Sequence, residues 1–575
     1  MKKSFFKTLV MMLAAVTVVS GCTQGTTTST ISPNTTTPTT VAPTTSAPAT
    51  TYLTNDDFER AKTSYTDSKG VEQSLTMQTL YTNAGAPHLD PLQEQHVLVV
   101  PFGFEDSSTI PEQTQDNLDR IQKTFFGSQE EIDAVNGWTS VQTYYNTASY
   151  GKSVFDGAVL PTWLIYPGTV KEFENYSKSG AYGFDAALYA RDWYVKEYAK
   201  DNHGLLGANA KPLSYFDANN DGFIDLIWVV YSRKTGQPGD WWAYVTYNQS
   251  AQGNKTNPVV KTLGFAGVDW MKKAYGGYDP HTFIHETGHT YGLDDYYDYN
   301  NKRSLMGKVD MMDNNIGDHN AFSKFTLGWL NPLVVDVEEN ETARITLYPT
   351  TLDGNSAVVL PSPGYNNTAF DEYLMLDFVA PVGLNEKDYK NGYESITGYN
   401  APGIRLMHVD ARVYTGSRDT YLTTNPQDGI GFRIDNSYGG RMGLKVDGDY
   451  IEKEDGSYGY YSLISLIEST VDKDLNVNTT NAYNGSSAKT LFKENERFTM
   501  SGRTGKAFAE TFLPAGRNLW NKAKTITGWK TVSGKDVQIQ EIDETCTIDY
   551  SFKVIEIVKD DTYGYKATIE ITKNA

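Results

Sequence analysis

The stretch Asp279–Asp298, DPHTFIHETGHTYGLDDYYD, constrains the fold more than any other part of this chain. His285 and His289 are four residues apart, which places both imidazoles on one face of an α-helix, about one turn apart. Asp279 suits an N-cap and Pro280 suits a first helical position, so the pattern predicts a helix that begins there. One ion can therefore bind both histidines.

The residues that follow this helix supply a third donor. Gly292 permits a left-handed turn that ends the helix, and the carboxylate of Asp295 would then point at the histidine pair. Two neutral nitrogens, one carboxylate oxygen and an open fourth position are the donor set of a catalytic zinc site. The third ligand stays open, because other acidic residues are near in sequence: Asp294, Asp298, Asp310 and Asp313. The alternative is a polar helix face that carries two histidines by chance, as an HExxH pattern does in roughly one such chain in a hundred.

Glu286 lies about 100° round the helix from His285. This is too far round for a third ligand but near enough to hold a water molecule on the metal. Zinc lowers the pKa of that water toward about 7, and a carboxylate can take its proton and pass it to a leaving amine. We therefore predict that Glu286 is the general base and acid, and that Phe283, Thr287 and Tyr291 pack inward.

The composition bounds the class of protein. The chain has 575 residues, of which 39% are hydrophobic and 13% aromatic, enough for sizeable cores in several domains or a few large ones. The formal charge of −20 argues against nucleic acid as a partner and against electrostatic attachment to an anionic membrane.

The N-terminus predicts export. Residues 1–22 carry two lysines before a short apolar run, which is typical of a signal peptide. The run ends in VSGC, which resembles the lipobox of bacterial lipoproteins and implies lipid attachment at Cys22; plain secretion is the alternative. Residues 23–51 are mostly Thr, Pro, Ser and Ala and predict a disordered tether. Cys546 is the second of two cysteines, so lipidation of the first leaves no intramolecular disulfide.

The rest of the chain divides by pattern into three segments. Residues 52–95 are mixed and could be an N-terminal extension or a pro-segment. Residues 96–332 combine a buried strand at 96–100 with helices near 115–126 and 186–200. In residues 333–575 helix signals almost vanish and strand candidates recur, which predicts an all-β, sandwich-like region.

A second candidate ion site precedes the strand 226–231. Oxygen side chains at positions one, three and five, with Gly222 at six, match the opening of an EF-hand calcium loop. The glutamate expected at position twelve is replaced by Trp228, and an Asx-rich turn is the alternative. The side chains predicted to bind Ca²⁺ in a structural role are Asp217, Asn219, Asp221 and Asp225.

Four segments resemble one protein family. In chain order these are SVQTYYNTASYG, the 217–225 loop, HETGHTYGLDDYYD and SKFTLGW, and together they resemble the immune inhibitor A family of secreted bacterial metallopeptidases. The likeness runs from about Val97 to Trp329 and continues more weakly through 372–378 and 403–413. It implies an α+β zincin-type catalytic domain, with a metzincin-like cleft across the helix that carries the HExxH motif.

The resemblance assigns roles residue by residue. It carries over His285 and His289 as zinc ligands and Glu286 as the catalytic residue, and Asp295 as the acidic third ligand, where metzincins proper use a histidine. A methionine turn lies under the metal in that group of enzymes, and Met311 or Met312 would fill it unless both are ordinary core residues.

Three further histidines near the motif or in family-like segments are not assigned to the metal. We expect His281, one turn before His285, to be near the cleft or at the surface. His319 either faces the cleft or bonds to a backbone carbonyl, and nothing places His408 at the metal.

The predicted function is a zinc endopeptidase that hydrolyses extracellular proteins or peptides while anchored to the bacterial surface. The alternative is a surface-tethered lipoprotein whose β-rich region binds a polymer or the host, since 39 tyrosines would suit stacking on carbohydrate. A zinc hydrolase for another substrate ranks below both, because polarising a carbonyl and protonating an amine need only the metal and Glu286.

Overall fold

The computed structural model describes most of the chain after the tether. The described residues are 51–66, 70–79, 88–177, 181–248, 250–298, 303–362, 365–411, 463–469, 490–499 and 550–573, with Ser486 and short strands between 422 and 541. The predicted signal peptide, the tether up to residue 50, Cys22 and Cys546 lie outside them. The described residues from Tyr52 onward belong to one compact unit. Among the helices that the structure describes, none has the length and apolar character needed to cross a bilayer.

The protein is mixed α and β, with several separate sheets. The helices are α1 Gln115–Phe126, α2 Gln129–Asp133, α3 Val141–Ala148, α4 Val170–Tyr176, α5 Tyr182–Tyr198, α6 His281–Thr290, α7 Met311–Asn314, α8 Ala321–Thr326 and α9 Asn385–Asn391. Short 3₁₀ turns are Asn55–Asp57, Ile110–Glu112, Asp201–Leu206, Leu213–Phe216, Val268–Lys272 and Tyr275–Gly277.

The strands fall into an earlier and a later set. Before α7 they are β1 Ser64–Thr66, β2 Glu72–Ser74, β3 Glu94–Phe104, β4 Val154–Val159, β5 Leu164–Tyr166, β6 Phe223–Ile224, β7 Leu226–Tyr231, β8 Tyr244–Tyr247, β9 Val259–Val260, β10 Thr262–Gly267, β11 Tyr297–Asp298 and β12 Arg303–Ser304. After α8 they are β13 Leu333–Val334, β14 Thr342–Leu347, β15 Ala357–Pro361, β16 Glu372–Val379, β17 Gly403–Asp410, β18 Leu422–Thr423, β19 Gly431–Phe432, β20 Arg441–Met442, β21 Tyr460–Tyr461, β22 Ile464–Ile467, β23 Arg497–Thr499, β24 Thr525–Val532, β25 Lys535–Glu541, β26 Tyr550–Asp560 and β27 Gly564–Lys573.

The earlier sheet carries the α6 helix on one of its faces. Its order is β4-β3-β7-β10-β8, with β5 beside the end of β3, and only the edge strand β8 runs antiparallel. The apolar run of β7 is buried at every position, as expected of a parallel strand covered on both faces. Its Trp228 and Val230 pack in one core with Phe283 of α6, and Ile227 packs in another with α5.

Two later sheets share a core. The five-stranded sheet β13-β15-β16-β17-β22 and the four-stranded sheet β14-β27-β26-β23 bury alternate residues together, among them Leu376, Leu406 and Ile569. The opposite face of the five-stranded sheet, including Met375 and Met407, packs in the core that contains α6. The five-stranded sheet therefore separates the two cores.

The sequence missed one element in this half. Helix signals were expected to be almost absent after residue 333, yet α9 forms at Asn385–Asn391 and is followed by Gly392, whose φ is +74°. The helix has only seven residues and no side-chain hydrogen bond at its N-cap, so it lacks the cues that identify helix starts.

The N-terminal extension forms hydrogen bonds with both the earlier and the later part of the fold. Leu53 pairs with the edge of β14, since its N–H donates to Thr342 O and its carbonyl accepts from Arg344 N–H. Farther on, the indole of Trp329 donates to Pro91 O, and Leu89 N–H donates to Thr290 O at the end of α6. These bonds attach the described residues between 52 and 93, here called the strap, to the rest of the folded unit.

Candidate metal centre

Helix α6 forms within one residue of the position that its sequence predicts. It starts at His281, directly after Pro280, and the carboxylate of Asp279 accepts the His281 N–H at 3.0 Å. The start is one residue later than predicted, because Pro280 takes the N-cap place that was expected for Asp279. Gly292 has φ +95°, which confirms the left-handed turn at the end.

The inward face of α6 is fixed by packing and hydrogen bonds. Phe283, Thr287 and Tyr291 are fully buried, as predicted. The Thr287 hydroxyl accepts from the indole N–H of Trp228 at 3.2 Å, and the Tyr145 hydroxyl donates to Ile284 O at 2.6 Å. These contacts set the rotation of the helix and so the direction of its opposite face.

That opposite face brings three predicted ligands together. His285 Nε2 lies 2.9 Å and His289 Nε2 lies 3.4 Å from Asp295 Oδ1. The two rings are perpendicular, with centroids 4.8 Å apart. His285 and Asp295 are buried, whereas His289 is partly exposed. Two nitrogens and a carboxylate oxygen thus converge on one point, as a three-donor zinc site requires.

Backbone carbonyls orient both imidazoles. Nδ1 of His285 donates to Met311 O at 2.8 Å, and Nδ1 of His289 donates to Leu293 O at 2.8 Å. A proton held at Nδ1 leaves the lone pair of Nε2 for a metal ion, which is the usual outer-shell arrangement of zinc-binding histidines.

The segment under the helix carries both methionines that the sequence singled out. Met311 and Met312 are fully buried. Met311 supplies the carbonyl that orients His285, and a Cβ built on Gly288 would lie 2.8 Å from Met312 Sδ. Asp310 holds this turn, because its carboxylate accepts from Met312 N–H at 2.9 Å and from the Asn320 side chain at 2.9 Å.

Electrostatics favour a positive charge at this point. Burial lowers the pKa of His289, but the Asp295 carboxylate and Glu286 outweigh it and raise that pKa to about 10. The pKa of His285 is also raised, again against burial and chiefly by Asp295. Burial raises the pKa of Asp295, yet the two imidazoles bring it well below its usual range. The three side chains therefore favour a positive charge between them, which a proton or a divalent metal ion can supply.

Glu286 is half-buried beside the three donors but is not one of the converging group. Burial raises the pKa of its carboxyl, while His289 and His285 partly offset that rise. A carboxylate with a raised pKa next to a metal position is suited to accept a proton near neutral pH.

The other acidic candidates for the third ligand take different places. Asp310 caps α7, and Asp313 accepts the backbone N–H groups of Met306 and Lys308 at 3.0 Å each. Asp294 is not part of the convergent group, and the Asp298 side chain lies outside the described residues. Asp295 is the acidic residue that the turn after α6 brings to the histidine pair.

His281 is deeply buried, so the surface position that was considered for it is wrong. Its Nδ1 lies 2.6 Å from Asp279 Oδ1 and its Nε2 lies 2.9 Å from Asp388 Oδ2. Its ring stacks between Trp138 and Tyr393, at 4.2 and 3.9 Å. Burial lowers the pKa of His281, but Asp388 and Asp279 outweigh burial and raise it to about 9. This is a buried ion-pair cluster at the start of α6.

The other two histidines that the sequence singled out, His319 and His408, also lie within the protein. His319 is 2% exposed and packs against Tyr144, Tyr145 and Trp329. Neither of its ring nitrogens has a hydrogen-bond partner in the described structure, so the expected bond to a backbone carbonyl is wrong. His408 is buried in β17 and belongs to neither convergent group of ligand side chains in the described part of the chain.

The predicted calcium loop adopts a compact Asx-rich turn. Asp217 accepts the N–H groups of Asp221 and Gly222 at 2.9 Å, and Asn219 Oδ1 also accepts from Asp221 N–H. Asp225 instead accepts His96 N–H at 2.8 Å. Among the described residues, the carboxylates of this loop do not form a convergent group, and calcium binding stays a prediction.

Sequence reasoning missed two residues that hold helix α6 in place. Asp388 lies 107 residues from the histidine it contacts, and no local pattern marks it. Tyr247 donates from its hydroxyl to His289 O at 2.8 Å, which ties β8 to α6. Only the position of Tyr247 in a short alternating run offered a signal, and that run did not identify its partner. No protein-family model matches this chain, and no curated protein matches it.

Proposed function

We propose that the protein is a zinc-dependent endopeptidase. The observation that carries the proposal is the convergence of His285, His289 and Asp295 on one point, with Glu286 on the adjacent side of the same helix. This donor set fits Zn²⁺, because a nitrogen pair with one carboxylate leaves a fourth position for water or substrate. The proposal includes three further points from the sequence. They are the resemblance to the immune inhibitor A family, a zincin-type fold for the catalytic domain and a sandwich-like arrangement of the later sheets.

Zinc, when bound, supplies a Lewis acid that polarises a carbonyl and makes water acidic. The residues of this chain do the rest. Glu286 accepts a proton from the attacking water and delivers it to the amine nitrogen as the peptide bond breaks. Met311 and Leu293 hold the two imidazoles through their carbonyls, so the ligands keep their orientation during the reaction.

A peptide substrate is supported by the free strand edge beside the helix. In the described sheet β8 is an antiparallel edge strand that pairs only with β10. Its residues Tyr244–Tyr247 are half-buried, and Tyr247 joins the strand to His289 O. An extended chain can add to such an edge through main-chain hydrogen bonds, which positions many sequences in the same way. This favours a polypeptide over a small-molecule amide.

The cellular location of the enzyme is proposed from the N-terminal sequence alone. A signal peptide that ends at Cys22, followed by a Thr- and Pro-rich tether, would hold the enzyme outside the cytoplasm at the membrane surface. Cleavage of extracellular proteins near the cell is the activity that this location suits.

The test uses the full mature chain, zinc and an unfolded protein substrate. Glu286→Gln should retain zinc and lower the rate by at least about 100-fold, because the ligands stay and the proton acceptor is lost. Glu130→Gln, at an exposed position of α2, is the matched control. If zinc-loaded wild-type protein cleaves no peptide bond, or if Glu286→Gln cleaves as fast, the proposal is wrong.

A cavity in the later half supports a second candidate, a polymer-binding surface. It has a volume of about 460 Å³ and lies between the strap and the ends of β15 and β27. Aromatic side chains of Phe58, Tyr365 and Tyr550 line it together with the acceptors of Asp336 and Asn367, a mixture that suits a sugar ring. Binding of soluble glycans that Tyr365→Ala weakens would support this role, and binding that is absent from the wild type would reject it.

A further inference from the structure

A second group of metal-type donors lies at the start of the earlier sheet. Glu94 and His96 are two residues apart on β3, so their side chains lie on the same face of the strand. His96 is in register with Asp156 on the neighbouring parallel strand β4. Three potential ligands are thus placed side by side on rigid strands rather than on a loop, an arrangement that keeps a site well defined.

The donor atoms of these three residues lie within 4.8 Å of one another. His96 Nε2 is 2.9 Å from Glu94 Oε1. The His96 side chain is 14% exposed and that of Glu94 is 53% exposed, so the group is open to ions from solvent.

Tyr215 holds two of the three donors in place. Its carbonyl accepts from His96 Nδ1 at 2.5 Å, and its ring stacks on the imidazole with centroids 4.2 Å apart. Its hydroxyl donates to Asp156 Oδ2 at 3.0 Å. A proton at Nδ1 again leaves Nε2 facing a carboxylate, which is the arrangement found for His285 and Asp295.

We propose that Glu94, His96 and Asp156 form a second, structural site for a divalent transition-metal ion such as Zn²⁺. One imidazole with two carboxylates suits ions of this class better than Ca²⁺, which takes oxygen ligands only. The ion would join β3 to β4 and to the turn that contains Tyr215. This site does not depend on the proposed peptidase function.

The competing occupant of the gap between His96 and Glu94 is a proton. A protonated His96 would donate from both nitrogens, to Tyr215 O and to Glu94, and would form an ordinary ion pair. The metal site and the protonated ion pair differ in metal uptake, because the ion pair forms without a bound metal ion.

The chain offers a matched control at His203. Its Nδ1 bonds to Tyr198 O at 2.7 Å and its ring stacks on Tyr198 at 3.9 Å, so it copies the carbonyl and tyrosine contacts of His96. It belongs to neither convergent donor group in the described residues. His203→Gln therefore removes a similarly placed histidine without touching either proposed site.

The experiment measures zinc uptake by the full mature chain after chelation. Excess Ca²⁺ fills sites that have only oxygen ligands. Wild type and His203→Gln should take up about two equivalents of zinc, and His96→Gln and Glu94→Gln about one. His96→Gln combined with His289→Gln should take up almost none. Circular dichroism and thermal unfolding of the calcium-loaded proteins show which variants remain folded.

Equal uptake by wild type and by folded His96→Gln and Glu94→Gln overturns the proposal and leaves the proton-bridged ion pair. If His96→Gln fails to fold, Glu94→Gln decides, because it keeps the contacts of His96 with Tyr215. A wild type that binds about one equivalent, lost in His96→Gln, would support this site while contradicting the centre on α6.

Discussion

Helix α6 carries two clusters of histidine and aspartate that differ in their ratio of base to acid. At its C-terminal half, His285 and His289 converge on the single carboxylate of Asp295. At its N-terminus, His281 lies between the two carboxylates of Asp279 and Asp388. The same residue types, four positions apart, therefore serve different purposes.

The difference follows from what the ring nitrogens face. In the first cluster backbone carbonyls accept from both Nδ1 atoms, so both Nε2 atoms face one carboxylate oxygen, and a cation can be shared among the three. In the second cluster both nitrogens of His281 face carboxylates, which is satisfied by one protonated ring. The first cluster suits a metal ion. The second is a buried ion-pair cluster of Asp279, His281 and Asp388 that joins α6 to α9.

The largest expected effect comes from removing a donor of the first cluster. His285→Gln should weaken zinc binding at α6 by more than the roughly 10–100-fold typical of residues that only support ligands. Competition with a chelator measures this affinity, with His203→Gln as control. If folded His285→Gln binds zinc as tightly as the wild type, the first cluster is not a metal site and does not differ from the second in this respect.

A smaller effect should follow from breaking the ion pair between His281 and Asp388. Asp388→Asn removes one charge from a buried pair and should lower the free energy of unfolding by about 3–5 kcal/mol. The folded variant should keep its zinc, because Asp388 contacts His281 and Gly317 N–H and is not one of the three converging donors.

The control for that change is an ion pair at the surface. Asp116→Asn alters a pair with Arg120 in which the aspartate is 74% exposed, and it should cost below about 0.5 kcal/mol. Chemical denaturation of the three proteins measures the difference. A loss of zinc from folded Asp388→Asn would show that the second cluster also contributes to the metal site.

The smallest effect concerns pH. The pKa of His281 is about 9 in the folded protein, raised from 6.5, so its ion pairs stabilise the fold fully below pH 6.5 and progressively less as the pH rises through 9. The loss should be on the order of 3 kcal/mol at most. Burial raises the pKa of the neighbouring Tyr275 and Tyr393, so neither titrates in this window.

The measurement is the free energy of unfolding of wild type and His281→Gln between pH 6 and 10. The difference between the two proteins should shrink as the pH rises, because the variant lacks the titrating ring. A constant difference over this range would mean that His281 is not charged in the folded state.

Local sequence patterns predicted much of the site and its surroundings. The predicted helix at 115–126 forms at those residues, the helix expected at 186–200 forms at Tyr182–Tyr198, and the strand at 96–100 lies within β3. The HExxH spacing placed two imidazoles on one face, and Gly292 supplied the return that brings Asp295 to them. Each of these depends on residues close together in the chain.

The features that the sequence did not predict depend on distant contacts. Asp388 reaches His281 only because α9 packs at the start of α6, and the five-stranded sheet is buried on both faces only because a second sheet covers it. The sequence left open whether residues 52–95 are a pro-segment or an N-terminal extension, because the bonds of the strap to Thr342, Pro332 and Trp329 join residues far along the chain.

The most direct test of the central claim is anomalous diffraction at the zinc edge from crystals grown with zinc. The account predicts a peak on the outer face of α6, about 2.0–2.2 Å from His285 Nε2, His289 Nε2 and an Asp295 carboxylate oxygen. A zinc-loaded crystal with no peak between these three atoms, or with Asp295 turned away from the ion, would contradict it.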